Sequence, residues 1–386
     1  MPRRILTIAV LLAGVHAGGI SAADLDDALA AIKAVKREGA GNPAAAAAWK
    51  DVVKQGAPAL PSVLAAFDGV DATVANWLRA AVDAIAENEQ KAGQKLPLDK
   101  LETFVKDTKR DPRARTIALD LLMQADPAAK ERLLSGMLDD PAAGVRRAAV
   151  AHALEKLELL ADSAVDKAAY TRLLAAVRDV DQVELIAKRL KGSGAEPDLI
   201  AHFGFVTKWL VCGPFDNKGL KGFTAPPPAE DAKWKEFAMI HPRGMVDLYT
   251  AFGKAKGLNK EGKKDAVHAF ARVDLESASE KSAQIRVGSQ NAIKIYLNGK
   301  EVFSRDEYHH GTRMDQHVAA VTLKQGLNQI IVNVCQDDMT YDWTFPWAFQ
   351  LRVTDAIGTP IPLKQTSATA AIPVPPAPEP KKEPMK

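Results

Sequence analysis

Cysteine, excess charge and long apolar runs are all scarce in this 386-residue chain, and each shortage excludes a class of protein. Two cysteines are too few for a disulfide-dense scaffold or for a multi-cysteine zinc or iron–sulfur protein. Lys plus Arg total 51 and Asp plus Glu total 48, which argues against a dedicated nucleic-acid-binding protein. Beyond the N-terminal segment no apolar run approaches about 18 residues, so the mature sequence predicts no membrane span.

The N-terminal segment has the layout of a secretory signal peptide. Arg3 and Arg4 form a short basic region, residues 5–20 are mostly apolar, and Ser21-Ala22-Ala23 supplies small residues for cleavage. The apolar run is interrupted and short for a bilayer of about 30 Å, which favours a cleaved signal over an uncleaved anchor. We therefore expect removal of residues 1–23 and export to the periplasm or out of the cell.

The composition changes near residue 200. Residues 24–200 are rich in Ala and poor in aromatic residues, which favours helices. Residues 201–363 contain most of the aromatic residues, which favours sheet. Residues 364–386 are rich in Pro, Ala and Lys and are predicted to form a disordered tail. The sequence thus predicts a helical domain, a β domain and a tail.

A weak repeat lies within the helical domain. The segment 111–119 (DPRARTIAL) aligns with 140–148 (DPAAGVRRA), and each begins with an Asp-Pro pair suited to a helix start. Residues 74–85 look like an earlier, degenerate unit. This pattern resembles HEAT-type repeats, and the resemblance implies a solenoid whose surface binds a protein partner. A non-repetitive bundle of Ala-rich helices is the alternative.

Alternating apolar and polar residues predict antiparallel strands in the β domain. The runs lie at residues 267–275, 285–287, 293–297, 330–334 and 349–353. Asn298-Gly299 stands between two strand segments, and both residues tolerate the positive φ of a type I′ hairpin turn. Many short strands in this length predict a sandwich or jelly roll.

Three segments carry a resemblance to a known family: 208–217 with Gly-Pro-Phe, 293–302 with Leu-Asn-Gly-Lys, and 323–332 with Gly-Leu-Asn. Over residues 205–360 the chain resembles the galactose-binding-domain-like jelly rolls of secreted bacterial enzymes and binding proteins. Together with the helical repeats it resembles exported proteins of unknown function from planctomycete-type bacteria, which implies no activity. The predicted fold class is multidomain, α then β: a HEAT-like α-helical repeat solenoid (24–200) and an antiparallel β-sandwich of jelly-roll type (201–363).

The densest polar cluster lies at residues 305–317. It contains five candidate ligand-binding or metal-binding residues: His309, His310, Arg313, Asp315 and His317. Imidazole and carboxylate groups could bind a transition metal, for which His310 and His317 are weak candidates. The alternatives are a ligand-contacting rim loop and a plain polar connection between strands.

A second cluster combines carboxylates with aromatic residues. It contains Asp337, Asp338, Tyr341, Trp343 and Trp347. Aromatic faces stack on the apolar faces of sugar rings and carboxylates accept hydroxyl hydrogen bonds, so this cluster is a candidate glycan site. Asp337 and Asp338, with Asp216, could instead hold a structural Ca²⁺. The remaining alternative is that Trp343 and Trp347 pack in the core or within the loop.

The two cysteines, Cys212 and Cys335, could pair in an oxidising compartment if the first and late strands were neighbours. The alternative is two buried free thiols.

We find no nucleophile, phosphate-binding or metalloprotease motif, and we expect no cofactor apart from a possible Ca²⁺. The predicted function is that of an exported, non-enzymatic binding or scaffold protein. In this interpretation the helical repeats dock a protein partner and the jelly roll binds a carbohydrate or another cell-envelope ligand. The alternatives are a purely protein–protein envelope assembly factor and, less favoured, a hydrolase with its site at the domain interface.

Overall fold

The computed structural model describes residues 22–159, 166–239, 241, 243–253 and 265–366. The chain forms two compact units, Met1–Ala169 and Tyr170–Lys386. The division falls 30 residues before the compositional change at residue 200, because helices that precede the strands belong to the second unit. The predicted signal peptide lies outside the described residues except for its last two positions.

The first unit is helical. Its helices are α1 (Ala22–Lys33), α2 (Asn42–Lys54), α3 (Leu60–Ala65), α4 (Ala72–Lys91), α5 (Leu98–Lys106), α6 (Pro112–Ala125), α7 (Ala128–Leu134) and α8 (Ala143–Leu159), and α9 (Lys167–Ala176) spans the division between units. Helices close in sequence pack together, α1 on α2, α5 on α6 and α7 on α8. The helical prediction is confirmed, whereas the HEAT-type repeat stays a prediction.

The Asp-Pro pairs act at helix starts, as the sequence predicted. The Asp111 carboxylate accepts from the backbone N–H groups of Arg113 (2.8 Å) and Ala114 (3.3 Å), which satisfies two donors that an α-helix leaves without an intrahelical partner. Asp140, at the aligned position, accepts from the Ala142 N–H at 2.8 Å.

One buried ion pair connects these two segments. The Arg115 guanidinium donates to both Asp140 oxygens at 2.7 Å and also to the Val105 carbonyl. Both side chains are almost fully buried. Because each charge is compensated by the other in a dry environment, removal of one partner leaves an uncompensated buried charge.

The second unit contains α10 (Val180–Gly192), α11 (Leu199–Phe203), α12 (Leu248–Ala251) and two antiparallel sheets. Its strands are β1 (Lys208–Asp216), β2 (Lys235–Ala238), β3 (Val246–Asp247), β4 (Val267–Ser277), β5 (Lys281–Gly288), β6 (Ala292–Leu297), β7 (Lys300–Arg305), β8 (His317–Leu323), β9 (Gly326–Gln336), β10 (Ala348–Thr354) and β11 (Lys364–Gln365). The larger sheet has the order β2-β1-β4-β9-β6-β7, with β11 also on β4. The smaller has the order β3-β10-β5-β8.

The arrangement is sandwich-like, as predicted, and the jelly-roll connectivity stays a prediction. Apolar side chains from both sheets form one core, in which the predicted odd positions of β4 all take part. The even positions from His268 to Asp274 are buried too, and the segment 217–234 covers part of the outer face of this strand. Gly222 contacts His268 there, and Glu230 is 3.6 Å from Arg272.

The predicted hairpin is confirmed. Leu297 pairs with Lys300, so the β6–β7 turn has two central residues, Asn298 (φ 52°) and Gly299 (φ 81°). Both have the positive φ that a type I′ turn requires. The C-terminal prediction needs one correction: Lys364 and Gln365, assigned to the tail, form β11 by pairing with Glu276 and Leu275. The rest of the predicted tail lies outside the described residues.

Among the described residues, no helix has the length and apolar character needed to cross a membrane.

We expect Arg115→Ala to lower the free energy of unfolding by about 3–5 kcal/mol, since it leaves the Asp140 carboxylate buried without its counter-charge. Urea unfolding followed by far-UV circular dichroism measures this loss. The exposed pair of Arg79 and Asp83 provides the control, because Arg79→Ala should cost less than about 1 kcal/mol. Equal losses in the two variants would contradict the proposed importance of the buried pair.

The stability of the second unit depends on pH through His202 in α11. Burial lowers the pKa of His202 from 6.5 to about 4, and the positive charges of Arg178 and Arg352 act in the same direction. The unfolded chain therefore takes up this proton at a higher pH than the folded chain. The resulting stability is complete above pH 6.5 and is lost as the pH falls towards 4.

We expect His202→Gln to flatten this part of the stability–pH profile by about 1–2 kcal/mol, a value reduced for solvent screening of a partly accessible ring. Urea midpoints measured across that pH interval for both proteins provide the test. The expectation fails if the two profiles run parallel.

Candidate functional site

Two loops of the β unit meet at the predicted site. The histidine loop (residues 306–316) joins β7 to β8, and the aromatic loop (residues 337–347) joins β9 to β10. His309 Nε2 lies 2.6 Å from Asp337 Oδ2. The His309 ring also meets the Trp343 ring at 5.4 Å with an interplanar angle of 87°. The two clusters singled out in the sequence are thus brought into contact.

The aromatic loop displays a pair of exposed rings. Tyr341 and Trp343 are 61% and 58% exposed, their ring centroids are 5.9 Å apart, and their planes differ by only 8°. The whole stretch 338–343 is exposed, including the carboxylates of Asp338 and Asp342. Exposed aromatic rings forgo the free energy of burial, so this pair is the candidate binding surface.

The loop is held in place by buried polar groups. The Gln336 amide nitrogen donates to three loop carbonyls, and the Thr344 hydroxyl lies 2.7 Å from two more. The five acceptors are the backbone oxygens of Thr344, Phe345 and Pro346 for Gln336, and of Met339 and Tyr341 for Thr344. Gln336 and Thr344 are themselves fully buried. The exposed rings therefore stand on a loop whose backbone is fixed from inside.

Asp337 faces inward and is already engaged. One carboxylate oxygen is bound to His309 and the other accepts from the Met339 N–H at 3.1 Å. His309 adopts φ 62°, which is uncommon for a residue with a side chain and shows that its position is imposed by its surroundings. Asp337 and His309 therefore support the aromatic loop from beneath, whereas Asp338 is open to solvent.

Trp347 does not contribute to the exposed surface. It is fully buried, its indole N–H donates to the Val334 carbonyl at 3.0 Å, and it packs against Tyr249 and Phe252. Of the two tryptophans proposed for sugar stacking, Trp343 is accessible and Trp347 takes the core role that the sequence left open.

The candidate Ca²⁺ ligands make contacts within the protein. Within the described ranges, no group of three or more His, Cys, Asp or Glu side chains could hold a metal ion. Asp216 accepts from the Lys218 N–H, and Asp337 is bound to His309. Two of the three candidate Ca²⁺ carboxylates are thus engaged within the protein, and the Ca²⁺ site stays a prediction.

His310 and His317 lie near each other, with ring centroids 5.8 Å apart. The Gln316 amide oxygen accepts from the Ser289 and Arg313 backbone N–H groups, so its amide nitrogen is the group 2.7 Å from His310 Nδ1. In this arrangement His310 Nδ1 accepts the hydrogen bond from Gln316. The transition-metal site at His310 and His317 stays a prediction.

Asp315 and Arg313 belong to other contacts. The Asp315 carboxylate accepts from Arg352 Nε and Arg286 Nη1, both at 2.7 Å. Burial would raise the pKa of Asp315, but these two guanidinium groups hold it below its usual value. Arg313 donates its backbone N–H to Gln316 and is exposed. Neither residue is part of the contact between His309, Asp337 and Trp343.

Of the two alternatives that the sequence left open for Cys212 and Cys335, the structure has the free thiols and not the disulfide. Both cysteines are free and buried. Cys212 pairs with Phe270 and Cys335 pairs with His268, so β4 lies between their two strands. Two strand spacings, together with an offset of two residues along β4, place the Cα atoms more than about 10 Å apart, beyond the reach of a disulfide. Burial raises the pKa of Cys335 to about 12, so this thiol stays protonated.

Sequence reasoning missed the residues that hold the site. Besides Gln336 and Thr344 they are Gln290, whose amide donates to the carbonyls of Trp343 and Pro346, and Asn291, whose side chain binds Gln336 and the Ala348 N–H. A sequence signal was present only for Gln336, a polar residue that directly follows an apolar strand segment.

Comparison with known proteins identifies no family. No family model matches the chain and no curated protein matches it. Among solved structures, a β-glucosidase from Kluyveromyces marxianus in complex with glucose matches at 13% identity and TM-score 0.26, over 38% of this chain and 17% of that one. The PA14 domain of an antifreeze protein matches at 14% identity and TM-score 0.24, over 39% and 81%.

A PA14 sugar-binding domain from an RTX adhesin matches at 15% identity and TM-score 0.20, over 49% of this chain and 80% of that one. The chain spans less than half the length of the first three structures that it matches. TM-scores of this size transfer neither fold nor function, so the function proposed below rests on the residues of the site.

We expect Thr344→Val to loosen the aromatic loop, because it removes the hydroxyl next to the Met339 and Tyr341 carbonyls at nearly constant volume. The loss of this buried hydrogen bond should cost about 1–2 kcal/mol and raise amide exchange in residues 337–347 about tenfold. Hydrogen-exchange mass spectrometry measures this change. The exposed Thr340 in the same loop provides the control, since Thr340→Val should leave exchange unchanged.

Proposed function

We propose that the β unit binds carbohydrate through the aromatic loop. The observation that carries this proposal is the exposed, nearly parallel pair of Tyr341 and Trp343 on a backbone fixed by Gln336 and Thr344. The flat apolar face of a sugar ring would stack on these rings. The exposed carboxylates of Asp338 and Asp342 would accept hydrogen bonds from its hydroxyl groups.

Preorganisation supports this assignment. A loop that is already ordered pays little conformational entropy when it binds, and the two aromatic side chains have few rotatable bonds to fix. The loop hydrogen bonds are made by buried groups, so a ligand at the outer surface need not break them. A stacking surface of this kind suits a neutral or weakly polar glycan face.

We further propose that the protein acts without chemical turnover, is exported, and uses its helical unit to hold a protein partner. The arrangement of His309 supports the first point. Its Nε2 is bound to Asp337 and its Nδ1 is buried without a hydrogen-bond partner. A general base must contact its substrate, and this imidazole offers neither nitrogen to the surface.

The test is a glycan-array screen of the purified full chain, followed by titration of a bound glycan. We expect Trp343→Ala to weaken binding at least tenfold, because it removes one stacking surface. Trp343→Phe keeps an aromatic face and should retain most of the affinity. Near-identical melting temperatures should show that both variants are folded, since the replaced side chain is exposed.

Two outcomes would refute the proposal. One is that no glycan binds. The other is that Trp343→Ala binds as well as the wild type, which would place any sugar site elsewhere. In either case a pull-down with the full chain tests the alternative of a purely protein-binding surface. Turnover of a glycoside or ester substrate, lost on substitution of a single exposed carboxylate or histidine in a variant that stays folded, would establish the hydrolase alternative instead.

A further inference from the structure

The smaller sheet ends in an edge strand, β8. In the order β3-β10-β5-β8, this strand pairs with β5 on one side, through seven consecutive residue pairs without a register shift. No hydrogen bond from its other side appears among those of the described residues. An edge strand presents alternate N–H and C=O groups that can pair with another strand.

The other sheet edges carry the devices that normally prevent such pairing. The edge strand β2 has four residues, of which Lys235 and Glu236 are charged. β3 has two residues, one of them Asp247. β7 contains three charged residues and shifts its register against β6 between Ile295 and Tyr296. Short length, charge and bulges are the usual ways in which an edge is blocked.

β8 has none of these devices. Its sequence, HVAAVTL, contains no Lys, Arg, Asp, Glu, Pro or Gly. The side chains of Val318, Ala320 and Thr322 are exposed on its outer face, and Val318 is 45% exposed. Burial lowers the pKa of His317, so this residue is also neutral at physiological pH. An uncharged edge of seven residues without a register shift is one that pairs readily.

The strand is complementary to itself. In an antiparallel pair with a two-fold axis at Ala320, Val318 lies opposite the partner's Thr322 and Ala319 lies opposite the partner's Val321. Outward residues then face outward residues, and core-facing residues face core-facing residues, as the pleat of a continuous sheet requires. No like charges meet, and the Val–Thr pairs are β-branched pairs that stabilise sheets.

A cavity of about 750 Å³ lies beside this edge, partly lined by Leu297, Val302 and Val321. Polar side chains, among them Gln284 and Lys300, complete its lining, so a partner strand that brings both apolar and polar side chains fits beside this edge. A second copy of β8 meets this requirement.

We propose that two copies of this chain associate through β8, antiparallel about Ala320, so that their two smaller sheets form one continuous eight-stranded sheet. Such an association is isologous, with the same surface used by both copies. It does not depend on the proposed sugar site.

Cysteine cross-linking tests the register. In the proposed pair the two copies of residue 320 are directly opposite, with Cβ atoms about 5 Å apart. The two copies of residue 322 are four residues apart along the strands, about 14 Å. Under mild oxidation we expect Ala320→Cys to form a covalent dimer and Thr322→Cys not to do so. The wild type controls for Cys212 and Cys335, which are buried.

Cross-linking of neither variant, or of both equally, would overturn the proposed pairing.

Substitutions that add a charge to the edge strand test the association itself. Sedimentation of the purified full chain up to about 100 µM should show twice the chain mass, because a dimer of micromolar affinity is then populated. Ala320→Lys places two ammonium groups opposite each other and should give the single-chain mass. Ser304→Lys adds the same charge to the exposed, already charged edge β7 and should remain dimeric.

A wild-type chain that stays at the single-chain mass, or an Ala320→Lys variant that stays dimeric, would overturn the proposal. Dissociation of the Ser304→Lys control would do so too, because charge alone would then be the cause. Melting curves confirm that each variant is folded, and the cross-linking result stands independently if a lysine variant is not.

Discussion

The candidate site depends on one buried side-chain amide, that of Gln336. Its nitrogen donates to three carbonyls near the end of the aromatic loop, and its oxygen accepts from Asn291 and from the Asp337 N–H. Asn291 in turn accepts from the Ala348 N–H, where β10 begins. Gln336 thus connects the start and the end of the loop. A buried amide with each of its polar atoms paired in this way can hold one backbone conformation.

The exposed rings are useful because this internal support exists. An aromatic side chain on a mobile loop would lose much of its stacking free energy to conformational entropy on binding. Here the cost of ordering the loop is met during folding, by hydrogen bonds on its inner side. The contact between His309 and Asp337 adds a second support beneath Trp343. Side chains on the outer surface can therefore change while the loop backbone keeps its conformation. This is the usual arrangement in which a rigid scaffold positions binding loops.

Short sequence patterns were sufficient to predict structural features that depend on neighbouring residues in the chain. Asn298-Gly299 determines its own turn, Asp111 caps its own helix, and the alternation in residues 267–275 identifies a strand whatever its neighbours are. Questions about neighbours could not be answered in this way. Whether Cys212 and Cys335 are adjacent depends on β4 lying between them, and whether a tryptophan is exposed depends on which carbonyl its indole reaches. Gln336 fixes the loop because its amide reaches the carbonyl of Pro346, ten residues later in the chain. A hydrophobic periodicity in the sequence does not predict this contact.

The two proposals, a stacking site and an edge-paired dimer, address one energetic problem. A surface of two rings gives a modest affinity for a single sugar, since each contact must first offset the entropy of association. A dimer carries two such sites, and a glycan with repeated units could occupy both. The second binding event would then be intramolecular, and the gain in avidity would depend on the spacing between the sites and not on new contacts. The histidine loop ends where β8 begins, so His309 and the edge strand belong to one continuous segment of chain. Order imposed on β8 by pairing would therefore extend towards the support of Trp343.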